Sequence, residues 1–376
     1  MKIWMDPSGS KDALSALLTV AQDDDSVRSI LVIACIGNGW DAASVDPVLK
    51  GCTKPVFGAL FPNIIHETQT FEHGVIVAGL SCPAEVRRVP DIGDPARDYN
   101  QVFDGMFDVD MGTMFVFVDG YAKRISDFIG GLYYNFGLGG HYIGGGAGHI
   151  DPNALDMQVR PCILSNGGLE QGGAVLALTP LQSGIGVSHG WSKMSGPYKV
   201  TASEKNIIRS LDWQPALEVY RDVVEKAVGR TMTQDNFFDL AKSHPFGVCG
   251  MDARIIVRDP FAADDGGNLV IAAEIPQETF VDILSGDHDT LLAAAGEARR
   301  KASASAPQAA DQKTTLVIDC ISRALFLGDR FGEELEAVRE EPHPQIGFLS
   351  LGEIGASGDD FMEFLNKTIV VASLAE

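Results

Sequence analysis

The sequence has no run of about 18 apolar residues, the length a bilayer-spanning helix needs, although hydrophobic types make up 45% of its 376 residues. Its opening residues, MKIWMDPSGSKDALSALL, lack the basic stretch and apolar run that mark secretion. A cytoplasmic protein is the expectation. Positive charge is scarce: 29 Lys and Arg stand against 51 Asp and Glu, a formal net charge of -22. Such a surface repels phosphate backbones and anionic headgroups, which disfavours nucleic-acid and membrane binding. Cysteine is sparse too. Cys35, Cys52, Cys82, Cys162, Cys249 and Cys320 stand singly, with no Cys-x-x-Cys pair for zinc or redox chemistry. Most sit in apolar contexts such as LVIACIG and TLVIDCI, as reduced core cysteines do. The eight histidines form no His-Glu-x-x-His spacing, no phosphate-binding Gly-x-x-x-x-Gly-Lys-Ser/Thr loop occurs, and the carboxylates show no local acid/base pairing.

What is present is a long, glycine-rich globular chain. Its length exceeds one ordinary domain of ~100–200 residues, which predicts two. The 41 glycines and 21% charged residues exclude disordered and fibrous classes. Helix-like KDALSALLTVAQ is followed by buried-strand patterns SILVIACI, KPVFGAL, HGVIVAGL and TMFVFVD, then by a helix over ISDFIGGLYYNF. Strands alternating with helices indicate α/β layering. GGAVLAL and SGIGVSHGW read as successive strands, with a hairpin as one arrangement. LDWQPALEVYRDVVEKAVG carries a helical apolar stripe, with Pro215 near its start and Gly229 at its end. The chain then restarts with a helix DNFFDLAKS, strands DARIIVRDP and NLVIAAEI, a helix DTLLAAAGEARRKASASA, an exposed loop PQAADQKT and the strand TTLVIDCI. No short-period repeat is found. The expected fold class is mixed α+β, with two domains over residues 1–225 and 226–376, each a mixed β-sheet covered by helices.

Two local motifs resemble catalytic signatures and fail on context. Gly186-Val187-Ser188-His189-Gly190 matches a nucleophile elbow, which must lead from a strand into a helix. The following WSKMSGPYKVT contains Gly196 and Pro197 and no helical stripe. Gly37-Asn38-Gly39-Trp40-Asp41-Ala42 follows SILVIACI and fits a dinucleotide fingerprint, but KPVFGAL ends without the acidic residue that would grip a ribose. A plain strand-to-helix turn is the expectation there. An enzyme with a Ser188 or Cys320 nucleophile would need an adjacent base or a depressed pKa.

The segment GVSHGWSKMSGPYKVTASEKNIIRSLDWQPALEVY resembles the hallmark of the FIST family: a His-Gly-Trp turn, a Val-Thr strand, and a helix opening Pro-Ala-Leu. GGGAG from Gly144 to Gly148 is similar to that family's glycine-rich turn. HPFGV from His244, IIVRDP from Ile255, IDCISRALFLGDRFGEEL from Ile318, GFLSLGEIG from Gly347 and the terminal FLNKTIVVASL follow in order. Together the matches cover most of residues 30–375.

The resemblance implies a sensory protein that binds a small ligand, with amino acids suggested, and signals through a separate output protein such as a histidine kinase. Some members resemble haem-bearing nitric-oxide sensors. No kinase, cyclase or DNA-binding module is expected in this chain. An amino-acid ligand needs donors for its carboxylate and acceptors for its ammonium, because an unpaired charge leaving water is costly. Within the matched segments, amides across Gly144, Gly145, Gly146, Ala147 and Gly148 could cup an anion. Arg258 or Arg323 could fork a carboxylate, and Glu353 could receive the ammonium. A structural salt bridge or cap is the alternative for each. For haem, His189 beside Trp191 is the axial candidate. Local hydrogen bonding is its alternative role, and Cys320 could be buried and inert.

Overall fold

Runs such as Ser29–Cys35 and Thr113–Asp119 are apolar on both faces, which suits strands covered on both sides, and all of their residues are buried. The computed structural model describes residues 1–108, 112–137, 139–150, 160–249, 254–307, 313–358 and 361–376. Its class is mixed α+β, as the alternation of patterns predicts, and one chain pattern recurs three times. The first unit contains β1 (Lys2–Asp6), α1 (Lys11–Asp23), β2 (Ser29–Cys35), α2 (Ala42–Gly51) and β3 (Val56–Phe61). Two short strands, β4 (Ile64–His66) and β5 (Gln69–Phe71), precede its return strand β6 (Val75–Leu80). The second unit runs β7 (Glu85–Val89), α3 (Tyr99–Phe103), β8 (Thr113–Asp119), α4 (Ile125–Phe136) and β9 (His141–Ala147). It ends with β10 (Ile163–Ser165), β11 (Gly168–Glu170) and the return strand β12 (Ala174–Thr179).

The third unit opens with β13 (Gln182–Ser188) and is interrupted by an inserted module. The insert holds β14 (Ser192–Glu204), β15 (Ile207–Leu211), β16 (Gln214–Pro215), α5 (Ala216–Val228) and α6 (Phe237–Ala241). It continues through β17 (Phe246–Cys249), β18 (Ile255–Arg258), β19 (Pro260–Ala263), β20 (Leu269–Ile271) and β21 (Phe280–Ser285). The third unit then resumes with α7 (His288–Ser305), β22 (Lys313–Cys320), α8 (Ile321–Leu327) and α9 (Phe331–Ala337). It closes with β23 (Gln345–Ser350), β24 (Glu353–Ser357) and the return strand β25 (Ile369–Ala375).

In each unit the central strand pairs parallel to the next long strand and antiparallel to the return strand. These trios are β2 with β3 and β6, β8 with β9 and β12, and β22 with β23 and β25. The following short strand is lent to another unit: β10 pairs with β3, β24 with β9, and β4 with β23. The lending is cyclic, so the three sheets interlock. Their orders are β1-β6-β2-β3-β10-β11, β7-β12-β8-β9-β24 and β13-β25-β22-β23-β4-β5. The insert forms the sheet β18-β17-β21-β14-β15-β20-β19, with β16 beside β15.

One residue fixes the common register. Gly58, Gly144 and Gly347 lie opposite Val32, Val116 and Val317 in the parallel pairs. A Cβ at these glycines would stand 1.8, 1.8 and 2.0 Å from the carbonyl oxygens of those valines, so no other residue fits without moving backbone. The inner faces of the sheets meet in an aromatic cluster, with Phe61 stacked on Phe348 at 3.7 Å and Phe117 edge-on to both. The outer faces are covered by helices through Leu14, Leu18 and Val45 in the first unit, Tyr99, Phe103 and Phe128 in the second, and Leu291, Phe331 and Leu335 in the third.

Two local expectations need correction. GGAVLAL and SGIGVSH do not form a hairpin: β12 lies between β7 and β8, while β13 pairs with β25 in another sheet. The glycine stretch from Gly144 is not a turn, because Gly144 to Ala147 belong to β9, held between β8 and β24, and only Gly148 lies beyond it. Most of the loop expected over PQAADQKT lies outside the described residues. The helix after Pro215 ends as anticipated, with Gly229 capping α5 in the left-handed region at φ 66°. Among the described residues, no helix is long and apolar enough to cross a membrane.

Candidate functional site

A layer of buried charge lies between the third unit and the insert. It sits at the C-terminal ends of the parallel strands β22 and β23, the position where open α/β sheets place ligands. Lys367, from the connection between β24 and β25, is 0% exposed, yet its ammonium would be costly to bury unpaired. Its Nζ donates to the carbonyl of Lys242 at 2.8 Å and lies 3.3 Å from Asp259 Oδ1, both on the insert. It also reaches Ser322 Oγ at 3.4 Å and sits 5.3 Å over the Trp191 ring. The Ser322 hydroxyl in turn donates to Asp259 Oδ2. Burial raises the Asp259 pKa, against the opposing pull of Lys367 and Ser322.

Beside this pair stands a second one, built on α8. Arg323 is fully buried, donates to Glu334 and to the carbonyl of His189 at 2.6 Å, and places Nε 3.2 Å from Asp319 Oδ1. Two carboxyls therefore share one guanidinium. Burial, and after it the charge of Glu334, pushes the Asp319 pKa well above the ordinary range.

The third group is Glu353, the first residue of β24. Ser350 Oγ donates to its Oε1 at 2.7 Å and the Thr368 N–H to its Oε2 at 3.2 Å. Burial nevertheless moves its pKa up to about 8. The neighbouring Cys320 thiol is pushed far up by burial and then by Glu353, so it is an inert thiol, not an activated nucleophile. Across the ladder from Glu353 stands Gly145. The ring of Phe364 packs over the adjoining glycines, within 3.1 Å of where a Cβ of Gly146 would be and 2.3 Å for Gly352.

Several of the residues singled out in the sequence are therefore neighbours. Glu353 and Gly145 are direct partners, and Arg323 adjoins them through the shared cluster. The amides of Gly144 to Ala147 serve a strand with neighbours on both sides, an arrangement that does not present a ring of donors to an anion. Gly148 donates its N–H to the carbonyl of Leu60. Arg258 is buried, its pKa lowered by burial to about 10, and its Nη1 donates to the carbonyls of Val257 and Phe364, which ties the insert to the β24–β25 connection. His189 accepts the Trp191 N–H on Nδ1 at 3.0 Å, the local hydrogen bond foreseen for it. Burial, then the charges of Arg323 and Lys301, lower its pKa to about 4. A haem would need an apolar slot beside that ring, and these charged neighbours do not fit one. Ser188 ends β13 and the chain continues into β14, so no elbow forms.

Two hollows open elsewhere on the surface. One of about 290 Å³ is lined by Asp91, Gly93, Asp94, Ala122 and Gly172, and one of about 430 Å³ by Glu67, Arg339, Glu341, Pro342, His343 and Pro344. Neither is lined by a residue of the buried layer. Among the described residues no cluster of His, Cys, Asp or Glu is arranged to hold a metal ion. Sequence reading did not single out Asp259, Ser322, Ser350 or Lys367. Lys367 carried a signal, a cation immediately before the apolar run TIVVASLA.

Comparison with family models matches the FIST N domain to residues 31–214 and the FIST C domain to residues 216–356. The two join within the insert, between β16 and α5. No curated protein matches the chain.

Proposed function

Because the chain belongs to the FIST family, a sensory rather than catalytic one, we propose that it binds a small polar ligand in the cytoplasm and signals through a separate protein, such as a histidine kinase. The ligand site is the seam between the insert and the third unit, and an amino acid is the class that suits it. The observation that carries this reading is the Lys367–Asp259 pair, in which each partner comes from a different side of the seam and both are buried. Desolvating such a pair offsets much of its attraction. A ligand carboxylate that replaces Asp259 on Lys367 therefore competes with a partner that is only weakly favoured. Ligand-free and ligand-bound seams would then differ in how the insert sits on the third unit. That difference gives a ligand two states to discriminate, without which no signal passes.

Titration calorimetry of the purified chain with each of the twenty common amino acids tests the reading. Saturable heat from at least one is expected. No heat from any of them, with the protein folded throughout, would overturn it.

A further inference from the structure

The three units supply an internal control that separates what the fold requires from what one unit adds. At the C-terminal ends of the three parallel pairs, Cys35 stands opposite Phe61, Asp119 opposite Ala147, and Cys320 opposite Ser350. The lent strands begin in matching register, Ile163 facing Ala59, Ile64 facing Phe348 and Glu353 facing Gly145. Even the backbone bonds there correspond. Leu60 donates to Cys162 O, Leu349 to Asn63 O and Gly146 to Gly352 O, at 2.8, 2.9 and 2.8 Å. Two of the three units therefore build this corner with isoleucine against phenylalanine or alanine. The third builds it with a glutamate, a serine hydroxyl and a glycine, whose missing Cβ makes room for the Gly352 carbonyl and the Ser350 side chain.

The fold does not need a carboxyl at this position, since isoleucine fills it twice. Burying one costs several kcal/mol unless something compensates. The polar corner also belongs to the one unit that carries the insert, and it adjoins the seam at which the Lys367 ammonium faces Asp259 Oδ1 at 3.3 Å.

Resting on the ligand-sensing reading above, we propose that Glu353, oriented by Ser350, is the group that takes the ammonium of an amine-bearing ligand whose carboxylate lies toward Lys367. Access requires the connection from Phe361 to Thr368 to lift. Its ties include the paired backbone of Glu353 and Leu365, the Arg258 bond to Phe364 O, the Trp191 Nε1 bond to Lys367 O, the Arg254 bond to Phe361 O, the Thr368 N–H bond to Glu353, and the Lys367 side-chain pairings. Around Glu353 stand Cys320 and Asp319 on β22, Arg323 on α8, Asp259 on the insert and Lys367 on the connection. Glu353 holds its proton up to about pH 8, so capturing an ammonium drives that proton off. Binding near neutral pH therefore releases a proton, and affinity rises from pH 6 to pH 8.

The experiment titrates the twenty amino acids into the wild-type chain, Glu353→Ile and Ser350→Ala, at pH 6.5 and 8, in phosphate and in Tris, whose ionisation heats differ. For whichever amino acid gives heat, the expected results are proton release at pH 6.5 in the wild type and a loss of roughly 100-fold in affinity for Glu353→Ile, the size expected for a lost charge pair. Ser350→Ala, which copies Ala147, is expected to weaken binding by about 10-fold. Glu353→Ile copies Ile64 and Ile163, and its unfolding midpoint should equal or exceed that of the wild type. Unchanged affinity in Glu353→Ile overturns the assignment while leaving the sensing reading standing. Silence of the wild type toward all twenty overturns the sensing reading itself. Should Glu353→Ile fail to fold, Glu353→Gln takes its place, and wild-type affinity in that variant overturns the assignment.

Discussion

Glu353 has a titration that stability measurements can see directly. Its pKa stands near 8 in the fold against an ordinary 4.5, because burial outweighs the donors Ser350 and Thr368. The folded protein thus holds more protons than the unfolded chain between those values, so stability is full below about pH 4.5 and falls as pH rises toward 8. The slope reaches at most about 1.4 kcal/mol per pH unit. Urea unfolding of Glu353→Gln across that range should show this descent removed relative to the wild type, and identical slopes would mean the carboxyl titrates normally. Of the buried layer, Arg323 and Glu353 were legible because their segments resemble a family pattern. Asp259, Ser322 and Lys367 were not, since their meaning lies in pairings across 63, 45 and 125 residues of chain. A lone charge next to an apolar run reads as a strand edge until its partner is known.

Strand β9 shows why glycine misleads a sequence reading. Three successive glycines read as a turn, because residues without a side chain give no alternation to reveal the two faces of a strand. Gly144 is there because a neighbouring backbone carbonyl occupies the place of a Cβ, as at Gly58 and Gly347. Gly144→Ala should therefore destabilise the protein by roughly 3 kcal/mol or more, well beyond the ~1 kcal/mol typical of a single substitution. Chemical denaturation reads this, and a loss below about 1 kcal/mol would contradict the close approach. The helices were far easier to read. α4 matches the predicted ISDFIGGLYYNF residue for residue, and α1, α5 and α7 carry apolar faces bounded by capping residues or glycine.

At the scale of the whole chain, α/β layering followed from the order of elements, whereas the threefold pattern did not. Its units differ in length, the third is split by an insert, and their shared register rests on one glycine each. The topology also constrains which pieces can fold. A fragment of residues 1–215 lacks β23 and β25, the partners of β4 and β13, and lacks β24, a partner of β9. Produced alone, it should show neither a cooperative unfolding transition nor the near-ultraviolet circular dichroism of fixed aromatic packing, and a sharp transition would contradict this. The cyclic lending of β4, β10 and β24 has one more consequence. A strand that a neighbour within the molecule can accept, the same site on another molecule can accept equally well. Refolding at high protein concentration should then populate linked dimers and longer chains of molecules that become trapped, while dilution should favour closure of each molecule on itself.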